Sequence, residues 1–321
     1  MTIAEAFQTL PRAHSDPALA ALGAYLVQHH YHFITPTPLT HQRNLDRLSG
    51  VARDLRGAFG WNRPFTSDLL PPELLKALVD EGAVTETAPG TYHSQWRCSS
   101  LGGNRLFHSG YPTDAPDAVF FGPDTYRFAR AIEAHLSSGT QTPRRAVDIG
   151  CGSGAGALVV AKACPNTQVW GTDINPKALR ITALNAAQAG ATNLQAVESN
   201  VLHGVEGDFD LITANPPYMQ DPKGRAYRDG GSGLGSALSL RILAEAVPRL
   251  SSGGTLLLYT GVAIVEGEDP FLAGASDVLQ SLNGTWRYEE LDPDVFGEDL
   301  ELEGYATAER IAVVLLTVNA A

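Results

Sequence analysis

Cysteine is scarce in this chain, and its spacing excludes two kinds of fold. The 321 residues include only Cys98, Cys151 and Cys164, with no C-x-x-C pair. Neither a disulfide framework nor a cysteine zinc site is therefore predicted. The nine histidines show no second ligand group at metal spacing, and we predict no metal site. Stability must come from an ordinary hydrophobic core.

Long hydrophobic runs are also missing. The longest, such as residues 312–316, fall far short of the ~18 apolar residues that cross a bilayer, so no membrane span is predicted. Residues 1–5 lack the basic segment followed by an apolar stretch that a secretory signal requires. We therefore expect a cytoplasmic protein.

Basic residues are outnumbered by acidic ones. There are 23 Lys and Arg against 35 Asp and Glu, a net charge of −12, which disfavours non-specific binding to a phosphate backbone. Residues 1–110 contain nine of each, so the excess acid lies in the remainder. One stretch, residues 41–63, is nevertheless locally basic. Its pattern is typical of a solvated helix face, with an RNA-facing helix as the alternative. Its arginines are Arg43, Arg47, Arg53, Arg56 and Arg63.

The length and the pattern predict two domains, divided near residue 110. Apolar spacing predicts helices over 17–30 and 41–59, and a third that opens at Pro71-Pro72 and ends at Gly82. Two extended stretches, 83–87 and 92–97, follow. Helices followed by a hairpin favour a winged-helix-like substrate-recognition domain over 1–110, with a generic α+β extension as the alternative. Trp61, Trp96 and Tyr92 could stack bases there, but core packing is the more frequent role.

Residues 111–321 alternate between strand and helix patterns. After a loop at 102–117, a helix is predicted over 125–136. Strands separated by helices imply parallel pairing, and hence an α/β fold. The predicted strands are 146–149, 168–172, 194–197, 209–214, 255–259 and 311–318, and the predicted helices are 154–163, 176–189 and 236–250.

The first of these strands runs into Asp148-Ile-Gly150-Cys-Gly152-Ser-Gly154-Ala-Gly156 and then into a helix. Glycines allow a tight turn and a close ligand approach, and the helix N-terminus adds unpaired N–H groups. The pattern could also pass as a dinucleotide fingerprint, with Asp173 as the ribose-binding acid in either case. Asp148 favours S-adenosylmethionine, because a carboxylate suits the cationic methionine amino group but is badly placed beside a pyrophosphate.

The most informative stretch is Asn215-Pro216-Pro217-Tyr218, at the end of the 209–214 strand. Consecutive prolines fix φ and offer carbonyls without N–H groups, so Asn215 Oδ1 and the Pro216 carbonyl can face a substrate as rigid acceptors. Two acceptors select an NH2 group and aim its nitrogen at a methyl donor. Tyr218 would supply a flat face against the planar target. A strand-ending turn without function is the alternative.

Together these motifs resemble class I S-adenosylmethionine-dependent methyltransferases that modify planar amino groups, and most closely the peptide chain release factor N5-glutamine methyltransferase family. Phe121-Gly-Pro-Asp-Thr125 is similar to that family's Arg-Pro-Asp-Thr segment, although Gly122 replaces the usual arginine. The resemblance covers 119–318 and implies a Rossmann-like, seven-stranded sheet. It also implies a small methyltransferase domain over 111–321.

The resemblance assigns roles to individual residues. Asp148, Gly150 and Gly152 would line the methionine end of the donor, and Asp173 would bind the ribose. Ile174 and the Asn200 region would bind the adenine. The catalytic residues would be Asn215, Pro216, Pro217 and Tyr218. The full set expected to bind S-adenosylmethionine and its product S-adenosylhomocysteine is Phe121, Thr125, Asp148, Gly150, Cys151, Gly152, Gly154, Asp173, Ile174, Asn175, Asn200, Val201 and Asn215.

The sequence therefore predicts an N-methyltransferase whose target is a protein glutamine amide, in a translation factor such as a release factor or in a ribosomal protein. The negative charge favours protein over an exocyclic amine of RNA or DNA (adenine N6 or guanine N2), which stays open. A non-catalytic donor-binding scaffold and a nicotinamide dehydrogenase are further alternatives. The Gly-rich stretch 218–235 is expected to be a mobile lid. The acidic stretch 289–303 is expected to be a solvated loop, or else a docking site for a basic ribosomal protein.

Overall fold

The computed structural model describes residues 16–138 and 141–321. Residues 1–5, on which the expectation of a cytoplasmic protein rests, lie outside the described residues. So does the rest of the first fifteen residues of the predicted N-terminal domain. Within the described part, no helix is both long and apolar enough to cross a membrane.

The N-terminal part consists of short helices and small antiparallel sheets. The strands β1, β2 and β3 form a three-stranded sheet in the order β1-β3-β2, and β4 and β5 form a separate hairpin. The order of helices and hairpin is the predicted one, and the winged-helix likeness stays a prediction. The elements are α1 (Pro17–Gln28), α2 (Pro38–Arg47), α3 (Leu55–Phe59), β1 (Phe65–Thr66), α4 (Pro72–Asp80), β2 (Val84–Ala88), β3 (Thr91–Ser94), β4 (Trp96–Leu101) and β5 (Asn104–Ser109).

The prediction of one helix over 41–59 is wrong, because the chain breaks between α2 and α3. Gly50 adopts φ +68°, in the left-handed region, and Asp54 is extended as the N-cap of α3. The Asp54 carboxylate accepts a hydrogen bond from Gly57 N at 2.7 Å, which starts a new helix there. Arg63 donates to the carbonyls of Ser49 and Gly50 at 2.8 and 3.0 Å and so holds the intervening loop.

The predicted loop over 102–117 also contains a strand that the sequence pattern missed. Residues Asn104–Ser109 pair with Trp96–Leu101, and Leu106 and Phe107 are fully buried. Trp96 is buried as well, in agreement with its expected core role. The two glycines at the turn of this hairpin made the segment resemble a loop.

The C-terminal part is an α/β domain around one seven-stranded sheet, as predicted. The sheet order is β11-β12-β10-β9-β6-β7-β8. Strands β8, β7, β6, β9 and β10 run parallel, whereas β12 is antiparallel to both of its neighbours. The elements are α5 (Pro123–Ser137), β6 (Arg145–Ile149), α6 (Ala155–Ala163), β7 (Gln168–Asp173), α7 (Pro176–Gln188), β8 (Leu194–Glu198), β9 (Phe209–Ala214), α8 (Ala237–Ala246), β10 (Leu250–Ile264), α9 (Pro270–Gln280), β11 (Gly284–Asp292) and β12 (Arg310–Ala320).

The sequence missed α9 and β11 and misjudged the acidic stretch over 289–303. Part of that stretch belongs to β11, and residues Gly297–Glu301 and Glu303–Tyr305 form 3-10 turns. β11 is an edge strand with mostly exposed side chains, including Trp286 at 46% exposure. An edge strand of this kind lacks the alternating apolar pattern that identifies a half-buried strand.

The two parts of the chain share a core through α7. Leu19 and Leu22 of α1 belong to the same buried cluster as Ile181 and Leu184 of α7. Asn185 of α7 donates to the carbonyl of Ser153 at 2.9 Å and also pairs with the backbone of Phe107 in β5. The N-terminal sheets are thereby fixed relative to the glycine turn that follows β6.

Candidate active site

A cleft lies over the carboxyl ends of β6 and β9, where the sheet order reverses. The chain leaves β6 for β7 on one side and later returns as β9 on the other side, and this switch point is where open α/β sheets bind ligands. The turns after β6, β7, β8 and β9 all line the cleft, and residues 118–120 and 226–227 close it from above.

The turn after β6 is built on left-handed glycines. Gly150, Gly152 and Gly154 have φ of 68°, 55° and 79°, and the last is the N-cap of α6. A Cβ at Gly150 or Gly152 would meet no atom closer than 4.0 Å, so the space over this backbone is open to a ligand. Gly154 instead packs against Thr182, where a Cβ would lie 2.9 Å from Cγ2. The first two glycines line the cleft, and Gly154 supports the turn from behind.

Asp148, at the end of β6, lies at the floor of the cleft. Its carboxylate accepts hydrogen bonds from Ala157 N at 2.9 Å and from Thr213 Oγ1 at 2.8 Å. The side chain is only 2% exposed, and burial raises the pKa of Asp148 to about 7. A cationic group in the cleft would restore the charge that burial disfavours.

Asp173, at the end of β7, closes the neighbouring turn. Its two oxygens accept hydrogen bonds from Gly152 N and Asn175 N, both at 2.9 Å. Burial raises its pKa, while these backbone bonds oppose the rise. A carboxylate has about four acceptor positions, so two remain for hydroxyl groups of a ligand. Asn175 also lines the cleft and caps α7 by accepting from Lys177 N at 3.0 Å.

The far end of the cleft is apolar on one side. Ile174 lines it with 61% of its surface exposed, unusual for isoleucine. Asn200 and Val201 lie opposite, after β8. Val201 has φ +54°, a rare conformation for a β-branched residue, and hydroxyls of Ser199 and Thr172 hold its carbonyl at 2.9 and 3.3 Å. The structure thus brings together the residues predicted for adenine.

The tip of β9 presents two unoccupied acceptors. Asn215, Pro216 and Pro217 line the same cleft as the glycine turn. Throughout residues 16–138 and 141–321, neither Asn215 Oδ1 nor the Pro216 carbonyl has a hydrogen-bond partner. Asn215 is half-buried, so its amide is held at the cleft surface.

Tyr218 does not face the cleft, contrary to the sequence expectation. Its ring is buried and would contact a Cβ at Gly261 at 2.3 Å, and its hydroxyl donates to Asp124 Oδ2 at 2.8 Å. Tyr259 of β10 donates to the other oxygen of the same carboxylate, also at 2.8 Å. Burial raises the pKa of Tyr218 well above its usual range. The carboxylate of Asp124 in α5 turns the ring inward, so Tyr218 anchors the tip of β9 from behind.

Of three other residues predicted to bind the donor, two line the cleft and one does not. Thr125 lines the cleft, and its hydroxyl accepts from Gly122 N at 3.2 Å. Cys151 also lines it, but its thiol is buried beside Thr182 and its pKa is raised well above the usual value, so it is unreactive. Phe121 is not brought to the cleft, because its ring stacks on His108 at 5.2 Å in the core beneath.

Sequence reasoning missed the aromatic pair that covers the cleft. Phe120 and Tyr227 stack with ring centroids 5.2 Å apart and an angle of 6° between planes, and both line the cleft. The Tyr227 hydroxyl donates to the Thr113 carbonyl at 2.9 Å. Tyr227 lies in the predicted lid, and no local pattern pairs it with a residue more than one hundred positions earlier.

The lid itself is tied down on two sides. Arg225 makes a two-point contact with Asp221, at 2.7 and 2.8 Å, which lowers the pKa of Asp221 to about 2. Arg228 pairs with Asp299, in the 3-10 turn before β12. Lys223 pairs with Asp114 at 3.2 Å, so the segment predicted to be a lid contacts both the loop before α5 and the 3-10 turn before β12. Over the described residues, no group of His, Cys, Asp and Glu could hold a metal ion.

The residues present fit S-adenosylmethionine. The buried Asp148 carboxylate suits the cation of that molecule, the Asp173 carboxylate suits its sugar, and the exposed Ile174 side chain suits its base. The glycine backbone between them leaves room for the ligand. Gly156 adds support, since a Cβ there would lie 2.8 Å from the Asp148 carboxylate and would displace it.

Residues 129–263 match the family model described as the methyltransferase small domain. This part of the chain is therefore similar to a methyltransferase domain. This match agrees with the predicted class I methyltransferase fold and favours an enzyme over both a dehydrogenase and a non-catalytic scaffold. The seven-stranded α/β sheet is the corresponding structural observation.

Curated relatives with similar sequences include several glutamine methyltransferases. The chain is 32% identical over 172 residues to the release factor glutamine methyltransferase of Rhodopirellula baltica (48% of this chain, 54% of the relative). It is 40% identical over 126 residues to that of Deinococcus radiodurans (36% and 44%). It is 34% identical over 148 residues to the ribosomal protein uL3 glutamine methyltransferase of Xanthomonas campestris (41% and 47%). The chain thus spans about half the length of these relatives.

Proposed function

We propose that the protein is an S-adenosylmethionine-dependent N-methyltransferase that methylates the side-chain amide of a glutamine in a protein, with a translation factor or a ribosomal protein as the substrate. The observation that carries this proposal is the pair of unpartnered acceptors, Asn215 Oδ1 and the Pro216 carbonyl, in the same cleft as the glycine turn. The named activities of the curated relatives support it.

The acceptors determine which nitrogen can react. A glutamine amide is planar, and its lone pair is delocalised into the carbonyl. Hydrogen bonds from both amide protons to Asn215 and Pro216 orient the nitrogen and favour recovery of its lone pair. A hydroxyl substrate would leave one acceptor unpaired, at a cost of ~1–3 kcal/mol.

The remaining residues bind and position. When bound, S-adenosylmethionine supplies the electrophilic methyl group. Asp148 attracts the cationic end of the donor, Asp173 accepts from its hydroxyls, and Ile174 covers its base. Tyr218 fixes the tip of β9 through Asp124, and the stacked Phe120–Tyr227 pair forms part of the cleft wall. The amide needs no strong base, because the methylated nitrogen releases its surplus proton readily to solvent.

A labelling experiment tests this proposal. The protein is incubated with tritiated S-adenosylmethionine and separate protein and RNA fractions of a bacterial lysate, and labelled protein is digested and analysed for N5-methylglutamine. We expect label in protein, lost by at least ~10²-fold in Asn215→Ala, the loss seen when an oriented acceptor or donor is removed. Label only in RNA would overturn the glutamine assignment.

A matched control uses another asparagine. Asn283 is exposed just before β11 and does not line the cleft. Asn283→Ala should methylate as the parent does. Calorimetric titration with S-adenosylhomocysteine should show the same affinity for Asn215→Ala and the parent, and titration with NADH should show no binding.

A further inference from the structure

Residues 34–63 concentrate arginines that have no acidic partner within the described part of the chain. This stretch holds five arginines and two aspartates, in a chain of net charge −12. Across the described residues, none of the five guanidinium groups makes an ion pair, whereas Arg127, Arg225 and Arg228 each pair with a carboxylate. The two local acids are engaged, since Asp46 accepts from Gln42 and Asp54 caps α3.

Four of the five arginines are exposed, and Arg63 has a structural role. Arg63 donates to carbonyls of the loop between α2 and α3, which fixes that loop in place. The exposed arginines are Arg43, Arg47, Arg53 and Arg56.

The outer face of α2 carries apolar side chains beside these arginines. His41 is the one buried residue of α2, so positions 39, 43 and 47, spaced by four, point to the opposite side. Leu39, Leu48 and Val51 are 43%, 42% and 37% exposed. We call Leu39, Arg43, Arg47, Leu48, Val51 and Arg53 the α2 surface.

Helix α2 contacts the loop of residues 111–117 through residues outside the α2 surface. The rings of Tyr111 and His41 have centroids 4.3 Å apart, and the Tyr111 hydroxyl donates to Gln42 Oε1 at 3.0 Å. Two residues later, the Thr113 carbonyl accepts from Tyr227, which lines the cleft. The loop of residues 111–117 therefore contacts both helix α2 and a residue that lines the cleft.

We propose that the α2 surface docks an acidic, partly apolar segment of the substrate protein. The exposed arginines of the α2 surface have no acidic partner within the described residues, so they would attract a negatively charged segment of another protein. Arginine is enriched and lysine depleted at protein interfaces, and the α2 surface contains arginine and no lysine. Its exposed leucines and valine suit a protein segment better than a phosphate backbone, which offers charge and no apolar side chains. This inference rests on the proposed function for its substrate, and it adds the charge and place of a second contact.

The test measures binding without methyl transfer. A fluorescein-labelled peptide of alternating glutamate and leucine and a labelled oligouridylate of matched charge are titrated against the full chain, with fluorescence anisotropy as the readout. We expect the peptide to bind, and to bind about tenfold more weakly to Arg43→Glu/Arg47→Glu. Leu48→Ser/Val51→Ser should weaken the peptide as well. Failure of the peptide to bind, or oligouridylate binding in its place, would overturn the proposal.

The control variant carries the same change of charge elsewhere. Arg144 lies just before β6 and Arg287 lies in β11, and both are highly exposed, so Arg144→Glu/Arg287→Glu should bind the peptide as the parent does. Equal weakening in this control would also overturn the proposal. Thermal melting of each variant shows whether it is folded.

Methylation kinetics separate this inference from the proposed function. With a protein substrate found by labelling, Arg43→Glu/Arg47→Glu should raise KM about tenfold and leave kcat unchanged, because docking is remote from the reacting nitrogen. If the KM is unchanged while protein methylation is intact, the docking proposal is overturned and the proposed function is kept. Absence of protein methylation in the parent would defeat the proposed function, whereas the peptide titration would still report on the α2 surface.

Discussion

At the β6 turn, Asp148 and Asp173 already accept hydrogen bonds from the protein's own backbone, whereas at the β9 tip Asn215 and Pro216 offer oxygens that no described residue occupies. The two halves of the cleft therefore meet their ligands differently. The donor half is shaped before binding by glycines and internal hydrogen bonds. The acceptor half has a fixed backbone but leaves its polar groups for the substrate to satisfy.

This difference indicates which half of the cleft selects the substrate. A preformed turn binds the same donor whatever the substrate is, because its contacts are complete without one. Two free acceptors reject substrates that cannot fill both, since a buried acceptor without a partner is costly. Changes in the donor half should therefore alter folding and donor affinity, and changes in the acceptor half should alter turnover.

The largest effect should come from Gly154→Ala. A Cβ there lies 2.9 Å from Thr182, and the position has φ +79°, so both contact and backbone strain oppose alanine. We expect destabilisation of ~2–4 kcal/mol, from strain and overpacking together, and weaker S-adenosylhomocysteine binding. Denaturant unfolding and calorimetry measure the two.

Gly190 is the matched control for this change. It has φ +66° with no atom within 4 Å of an added Cβ. Gly190→Ala should show the strain alone and bind the donor normally. Equal loss of stability in both variants would mean that Thr182 does not constrain the turn.

Removal of the anchor behind the acceptor half should come next. Tyr218→Phe deletes one of the two hydroxyls on the buried Asp124 carboxylate, at a cost of ~1.5–3 kcal/mol for a hydrogen bond to a charged group. Turnover should fall because the tip of β9 loosens, while donor affinity should stay the same. Tyr259→Phe removes the other hydroxyl and should cost similar stability. A comparable fall of turnover in Tyr259→Phe would show that Asp124, and not the β9 tip, sets the rate.

The pH dependence of Asp148 tests the donor half. Its pKa is raised from 3.8 to about 7 by burial, so between these values the folded state keeps a proton that the unfolded chain loses. The free energy of unfolding should therefore fall as pH rises through this window. Affinity for the cationic end of S-adenosylhomocysteine should rise up to ~10-fold from about pH 6 to about pH 8, as the carboxylate ionises.

Asp148→Asn should remove both dependences. Asp210→Asn is the control, because that carboxylate binds the backbone of 144 and 145 away from the cleft. A pH-independent affinity in the parent would contradict contact between Asp148 and the donor's amino group.

The smallest effect is expected at the cover of the cleft. Tyr227→Leu keeps an apolar side chain but removes the stacked ring and its bond to Thr113. A stacked aromatic pair contributes ~0.5–1.5 kcal/mol, so KM for the protein substrate should rise a few-fold. Phe120→Leu should match it if the pair acts as a unit, and unequal changes would show that it does not.

Much of the sheet domain could be predicted from sequence because its signals are local. Strands β6 and β9 are short, largely apolar runs, and the glycine turn and the Asn215-Pro-Pro-Tyr218 tetrapeptide follow them directly. The contacts of these motifs depend on positions along one strand and its turn. The sequence could therefore predict that residues such as Asp148 and Asn215 lie in one cleft, where the structure places them.

The misplaced residues depend on distant partners. Tyr218 belongs to a motif whose spacing says nothing of Asp124, which lies 94 positions earlier and turns the ring inward. Phe120 and Tyr227 meet only because the lid folds back over the loop before α5. The 41–59 helix failed for a different reason, since its apolar spacing continues across Gly50, where the backbone reverses.

The placement of β12 has a consequence for how the chain assembles. β11 has a single neighbour in the sheet, and that neighbour is the later strand β12, which inserts between β11 and β10. During synthesis, β11 must wait without a partner until residues 310–320 leave the ribosome. A chain cut before Arg310 would consequently lack β12 and leave β11 without a partner. The edge of β10 that pairs with β12 would then be open to aggregation.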